Sequence, residues 1–237
     1  MNRFRHRVLQ CWLLLIALAG DSRAASALSP YEAVYKANIN GLPVTVTSTL
    51  ETTAEGYRIS TAAENFLGEL REHERFHLAG EHILVDEYEH RRALLGSERL
   101  ERLVVDRGEG IARYRRDDRA RDIPLTPDLL GPMSYQVQLR RDLAAGGAEF
   151  SYRVLHRGKI KEYHFEREGT EPVTLPDGAV EAVRVRRVRD DNDRETVFWM
   201  APIFDFQLIK LRQIEEGERY ELLLSELRPA QARGDRE

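Results

Sequence analysis

The chain has 237 residues, with 36 basic against 40 acidic side chains, a net charge of −4 and one cysteine. An acidic balance argues against a nucleic-acid partner, whose phosphates call for a basic surface. A lone cysteine excludes a disulfide scaffold and a Cys-ligated zinc site.

Residues 1–27 read as an export signal. Arg3, Arg5 and Arg7 give a positive start, Val8 to Gly20 is a mostly apolar run, and Ala25-Ser26-Ala27 puts small residues where signal peptidase reads. Cleavage is expected after Ala27, with a mature start at Leu28. The run is shorter than the ~20 apolar residues that span a bilayer. No other run approaches that length, so no transmembrane span is expected in the mature chain. Cys11 lies inside the apolar run and leaves with it. Export without disulfides points to a bacterial periplasm. The leader carries Arg3, Arg5, Arg7 and Arg23 against Asp21, so its loss takes the net charge from −4 to −7. Residues 28–229 are expected to form one β-rich domain, and 230–237 a disordered tail.

The mature chain is dominated by short alternating runs between turn residues. Tyr31, Ala33, Tyr35, Ala37 and Ile39 alternate with polar neighbours and lead into Asn40-Gly41, a strong hairpin signal. Leu42, Val44, Val46 and Leu50 then oppose Thr45, Thr47 and Thr49, and Glu55-Gly56 turns the chain into Tyr57, Ile59 and Thr61. Arg113 to Asp122 mixes Arg and Asp and reads as a solvated hairpin tip. Phe150, Tyr152 and Val154 run up to a turn at Arg157-Gly158-Lys159, and Ile160 to Phe165 returns. Pro176-Asp177-Gly178 turns again, because Pro presets one dihedral and Gly permits a positive one. Val180 to Val185, Thr196 to Met200, Phe206 to Ile214 and Tyr220 to Leu227 complete the strands, with Asp190 to Asp193 as a polar tip and Glu216-Gly217 as the last turn. Ala201-Pro202 with Asp205 ends one strand and redirects the chain, since Pro is unsuited to a central ladder. Trp199 reads as a core anchor. Consecutive strands joined by tight turns make a meander.

Two stretches break this rhythm. Pro132 to Ala145 predicts a helix, with Asp128 able to cap it and Gly146-Gly147 ending it. Ala62 to Ala79 contains "HERFH", which spells the zinc-protease motif H-E-x-x-H. On a helix, Phe66, Leu70, His73 and His77 would share one stripe; His73 and His77 could then ligate zinc, with Glu74 as general base. A third ligand is not evident: Ile83 stands where the longer motif has histidine, and His82 is one residue early. On a strand, His73 and His77 share a face but lie about 13 Å apart, too far for one metal. Ile83, Val85 and Glu87 look like the hairpin partner of that strand across Ala79-Gly80-Glu81-His82. The strand reading is adopted, so no metal, cofactor or catalytic residue is assigned. His73, Glu74 and His77 remain the alternative of a zinc-dependent hydrolase.

The order of segments resembles an uncharacterised family of exported bacterial proteins, domain of unknown function 3108. The likeness runs through "YEAVYKANINGLPV", "HILVDEYEHRR", "GPMSYQVQLRRDL", "TLPDGAVEAVRVRR" and "TVFWMAPIFDFQLIKLRQIEEGERYELLLSEL". Members often carry Asp where Gly131 or Pro132 stands here. The resemblance implies an antiparallel sheet curled around one helix, a half-open β-barrel similar in outline to periplasmic lipoprotein carriers. It implies a strand over residues 69–79 and no established activity.

Such a sheet can enclose an apolar concavity. Tyr31, Tyr35, Val44, Val46, Tyr57, Phe150, Tyr152, Phe198 and Phe206 could line it or be plain core. The function expected is a non-catalytic binding or carrier module for a lipid, an apolar small molecule or an envelope protein. An outer-membrane barrel is set aside, because "VEAVRVRRVR" puts charge on both faces of its strand. No G-x-S-x-G elbow, phosphate loop or dinucleotide fingerprint is present.

Overall fold

The computed structural model describes residues 27–39, 42–65, 68–94, 96–189 and 194–230. Residues 1–26, 40–41, 66–67, 95, 190–193 and 231–237 lie outside the described residues, and with them the expected leader, Asn40-Gly41 hairpin signal, polar tip at Asp190 to Asp193 and tail.

Among the described residues, fifteen strands form one sheet. The first eight are β1 (Tyr31–Ile39), β2 (Leu42–Thr53), β3 (Gly56–Asn65), β4 (Gly68–Ala79), β5 (His82–Leu94), β6 (Ser97–Asp106), β7 (Ile111–Arg116) and β8 (Arg119–Pro124). A short β9 (Leu129–Leu130) and the helix α1 (Ser134–Ala144) follow. The chain returns through β10 (Glu149–His156), β11 (Lys159–Leu175), β12 (Gly178–Val188), β13 (Arg194–Ala201), β14 (Gln207–Glu215) and β15 (Glu218–Pro229).

Each meander arm pairs its neighbours antiparallel, except the two-residue β9, which runs parallel to β10, and β1 joins the arms by pairing with β15, with Tyr31 opposite Pro229 and Ala37 opposite Leu222. The edges are β8 and β9, which residues 125–128 connect. Those edges do not hydrogen-bond to each other, so the sheet is a large open one. It is nevertheless strongly curled. β9 packs on β5, and the β10–β11 turn at Gly158 lies against the Tyr114 ring of β7.

Bulges supply part of the curl, because an extra residue on one strand bends it and raises its twist. The register slips past Asp86 on β5, Glu168 on β11, Ile209 on β14 and Ser225 on β15. Two of these extra residues are carboxylates held by basic neighbours. Asp86 meets His77 at 3.0 Å and Arg107 at 2.8 Å, while Glu168 pairs with Arg184 and with Arg186.

The alternation predicted from sequence places Leu50, Ile59, Phe76, Ile83, Phe165, Val183 and Val185 in a continuous core. The core closes on α1, whose Val137, Leu139 and Leu143 are fully buried. Phe165 is the hub of an aromatic cluster. Its ring lies 6.0 Å from Tyr135 on the helix, 5.9 Å from Tyr152 and 5.7 Å from Phe198. Of the residues predicted to line a concavity, Tyr31, Tyr35, Val44, Phe150, Tyr152 and Phe198 are buried. Val46, Tyr57 and Phe206 are half-buried against the same core.

One expectation needs correction, the Asp128 cap, and the core-anchor reading of Trp199 holds with a difference of face. Asp128 does not cap the helix; it pairs with Arg153 at 3.3 Å, and the N-cap residue is Met133, which has no side-chain acceptor for the role. Trp199 is buried, yet on the outer face of β13. There Arg184, Lys210 and Arg212 lie 5.9, 4.9 and 5.4 Å from its ring, and its indole N–H donates to Glu171 at 2.5 Å. The cations cover the ring with their alkyl stems and hold its face electrostatically. The predicted redirection after Ala201 is present: Pro202–Phe204 form a 3-10 turn, and Asp205 and Phe206 both have positive φ.

Phe165→Ala removes the hub that ties helix to sheet and is expected to cost about 3–5 kcal/mol. Ile203→Ser, at a residue 76% exposed, is expected to stay within about 0.5 kcal/mol. Urea unfolding of the two variants checks the contrast.

Candidate functional site

HERFH lies in the middle of β4, and its alternation decides the fate of each side chain. His73 and His77 face outward, each with its own carboxylate: His73 lies 4.0 Å from Glu87, and His77 Nδ1 lies 3.0 Å from Asp86. Four strand rises keep the two imidazoles about 13 Å apart. Glu74 points the other way, into the core, and has no exposed surface. The zinc-hydrolase alternative therefore lacks its geometry, because the strand separates all three residues that a helix would have gathered.

Glu74 serves the helix. Its Oε2 accepts the Met133 N–H at 2.8 Å and its Oε1 the Ser134 N–H at 3.3 Å. The Ser134 hydroxyl also hydrogen-bonds this carboxyl, while its oxygen accepts the Gly131 N–H at 3.0 Å. A helix start leaves backbone N–H groups without internal partners and carries a partial positive charge. A carboxylate from a neighbouring strand answers both. Gly131 is required beside it, since a Cβ there would fall on the Glu74 carboxyl. The other end of α1 is tied by Arg141, which donates to the carbonyls of Gly80 and Glu81 in the β4–β5 turn at 3.3 and 2.9 Å.

Clamped in this way, the helix start forms the floor of a chamber of about 1000 Å³ at one mouth of the curled sheet. Pro132, Tyr135 and Gln136 contribute the floor. One wall, from β4 to β6, is acidic and phenolic. Glu72 accepts from the Tyr88 hydroxyl at 3.1 Å, and Glu101 hydrogen-bonds Tyr114. Burial is the first cause that raises both carboxyls above the usual range; the charge of Glu101 adds to the rise at Glu72, while the Tyr114 hydroxyl, Arg116 and Arg157 work against the rise at Glu101. The facing wall, from β10 to β12, is basic: His156, Arg157, Lys161 and Arg187. The Arg187 guanidinium lies 3.4 Å from the Tyr163 ring centroid, and the His156 ring is 6.4 Å from the same ring. Burial, then Lys161, Arg157 and Arg187, push the His156 imidazole down to about 4.

Two smaller spaces are apolar. A cleft of about 600 Å³ lies between the β11–β12 turn and the end of β15, lined by Leu175, Val180, Phe204 and Leu227 among others. Another of about 380 Å³ lies along the open seam, between β5 and β6 on one side and residues 125–131 on the other. Of the predicted apolar lining, Phe198 faces the chamber and Tyr31 the larger cleft. The basic wall was not foreseen. Its signal is present in the sequence: Lys161 falls in the same alternate row as Tyr163 and Phe165, and Arg187 in the row of Val183 and Val185.

Burial raises Glu74 to about 7. The folded protein thus holds a proton that the unfolded chain releases near pH 4.5. The stabilisation is complete below pH 4.5 and is lost as pH rises through about 7, an amount of about 3 kcal/mol. Glu74→Gln is expected to flatten this part of the stability profile between pH 4.5 and 8, read by urea unfolding against the parent. A second outcome concerns His156: its imidazole proton resonances are expected to titrate near pH 4, and Lys161→Gln is expected to move that midpoint upward.

No curated protein matches the chain. Among solved structures, a β-barrel-like protein of domain of unknown function DUF1849 from Brucella abortus aligns with a TM-score of 0.56 at 11% identity, covering 85% of this chain and 98% of that one. A candidate lipoprotein from Parabacteroides distasonis ATCC 8503 aligns over 85% of this chain and 96% of its own, at 11% identity and a TM-score of 0.32. The first likeness shares the fold; the second is too distant to add to it. The family described as Protein of unknown function (DUF3108) matches residues 31–222, the strands from β1 into β15 with the helix between them, and the chain belongs to that family.

Proposed function

We propose that the protein is an exported, non-catalytic binding or carrier module for a lipophilic or amphiphilic ligand of the cell envelope, acting in the periplasm after cleavage behind Ala27. One observation carries this reading: the curled sheet is not packed solid. The helix fills its centre, and a chamber of about 1000 Å³ remains at one mouth. Ligand sites of small-molecule binders are concave spaces of about 300–1,000 Å³ with apolar walls and a few convergent polar groups. This chamber differs in that charged and polar side chains make up most of its lining, with Phe198, Leu211 and Tyr135 as its apolar part. The leader pattern supports export, and the absence of any cysteine after Cys11 suits an exported chain that folds without disulfides.

Native mass spectrometry of protein purified from a periplasm is the direct test, paired with lipid extraction of the same sample. The expected result is a bound amphiphile of a few hundred daltons in a fraction of the molecules, released on unfolding. Protein that carries nothing and takes up no single-chain amphiphile when titrated would overturn the reading.

A further inference from the structure

The basic wall of the chamber is built differently from the other charged surfaces of the molecule. On the outer face, arginines meet carboxylates: Arg75 with Glu87 at 2.6 Å, Arg186 with Glu166 at 2.7 Å, Arg212 with Glu195 at 3.0 Å. Inside the chamber, Lys161 and Arg187 have no such partner among the described residues, and Arg157 makes no close pair but feels the charge of Glu101 across the chamber. Arg187 makes the point sharply. Its Nε is buried and without an acceptor among the described residues, as is that of Arg212 outside, but Arg187 has no carboxylate on its other nitrogens, and the flat face of its guanidinium rests on Tyr163. A buried donor left unbonded is destabilising, more so when the group is charged. Stacking fixes the plane of the guanidinium, and a fixed guanidinium edge suits two parallel bonds to one oxyanion. Tyr163 separates Arg187 from Lys161, which lies one inward step along β11, about 7 Å. Arg157 projects from the β10–β11 turn beside them.

We propose that Arg187, Lys161 and Arg157 receive the oxyanion headgroup, a phosphate ester or a carboxylate, of an amphiphile whose alkyl chain lies on Phe198, Leu211 and Tyr135. The proposal rests on the carrier reading of the same chamber and names its ligand class. The opposite wall does not cancel the basic one. Burial favours the uncharged forms of Glu72 and Glu101, so they repel an anion less than free carboxylates would. The depressed imidazole of His156 reports the same uncompensated positive field, with Lys161, Arg157 and Arg187 as its charged causes after burial.

Binding of dodecyl phosphate, dodecanoate, dodecanol and inorganic phosphate to the mature protein, measured by calorimetry, tests the assignment. The expected result is at least tenfold tighter binding of dodecyl phosphate or dodecanoate than of dodecanol, with inorganic phosphate the weakest. Arg187→Gln and Lys161→Gln are each expected to weaken the anionic amphiphiles fivefold or more and to leave dodecanol unchanged, which also shows that the variants are folded. The bound anion is further expected to raise the His156 titration midpoint, and dodecanol is not. Equal binding of dodecanol and the anionic amphiphiles would overturn the headgroup assignment while leaving the carrier reading intact. Inorganic phosphate binding as tightly as dodecyl phosphate would mark a free-anion site and overturn the amphiphile. Failure of every amphiphile to bind would overturn the carrier reading itself.

Discussion

A carboxylate on a strand, bonded to the start of a helix, fixes the geometry of this protein. The sheet is open, so no ladder of backbone bonds joins its edges. What holds the two arms around the interior is packing against α1, and α1 can lie inside only if its unpaired N–H groups are satisfied there. Residues near the helix start cannot do this alone: Met133 has no acceptor, and Asp128 is turned outward to Arg153. Glu74 reaches in from β4 and accepts from Met133 and Ser134. It thereby links an element of the first arm to the helix that leads into the second. Gly131 makes room, and Arg141 ties the far end of the helix to the turn that ends β4. One strand thus anchors both ends of the helix.

Curvature is the second requirement, and it is met locally. Four bulges bend the strands that carry them. At Asp86 and Glu168 the extra residue is acidic and outward, where basic side chains of neighbouring strands hold it. Exposed ion pairs add little stability, typically about 0–1 kcal/mol. Their contribution here is better seen as positional, since they fix the register on either side of the slip. The cations over Trp199 have the same character: they seal an aromatic ring on the outer face that would otherwise be a sticky patch.

Much of this was legible in the sequence where alternation is clean. Tyr31 to Thr61 and Phe150 to Leu227 announce their strands through inward apolar rows and turn residues such as Arg157-Gly158 and Glu216-Gly217, both of which have two consecutive positive φ angles. The segment from Ser97 to Pro124 was harder. Three strands pass through it, but their buried apolar residues reduce to Leu103, Ala112, Tyr114 and Ile123 among many charges. The helix itself followed from its composition, whereas its cap did not. The acceptor is 59 residues away from the N–H it binds, and no local pattern encodes a contact of that range. HERFH was legible as a strand only from its hairpin context and the family resemblance, not from its spelling. Its spelling is local, and the strand that carries it is dictated by pairing with β3 and β5.

Among the polar groups the described residues enclose, the buried Glu74 and the half-buried Arg187 make a contrast that separates architecture from chemistry. Glu74 is charged in principle and fully enclosed, yet each carboxyl oxygen has a partner within the fold and its proton affinity is adjusted to the burial. Removing it would leave a helix start unbonded, so its role is explained completely by the structure around it. Arg187 is held as firmly, by the ring of Tyr163, and still has a buried nitrogen that nothing among the described residues bonds. A leucine or methionine at that position would extend the row of Val183 and Val185 and add to the core without a desolvation cost. The Tyr163 stack offsets part of the cost of a guanidinium there, but no carboxylate among the described residues meets it. Buried polar groups that local packing does not account for are where function is to be sought. Of the described residues with such a buried, unbonded atom, Arg187 is the one that lines the chamber, which is why we propose the protein's chemistry for the basic wall and not for the motif that spells a metal site.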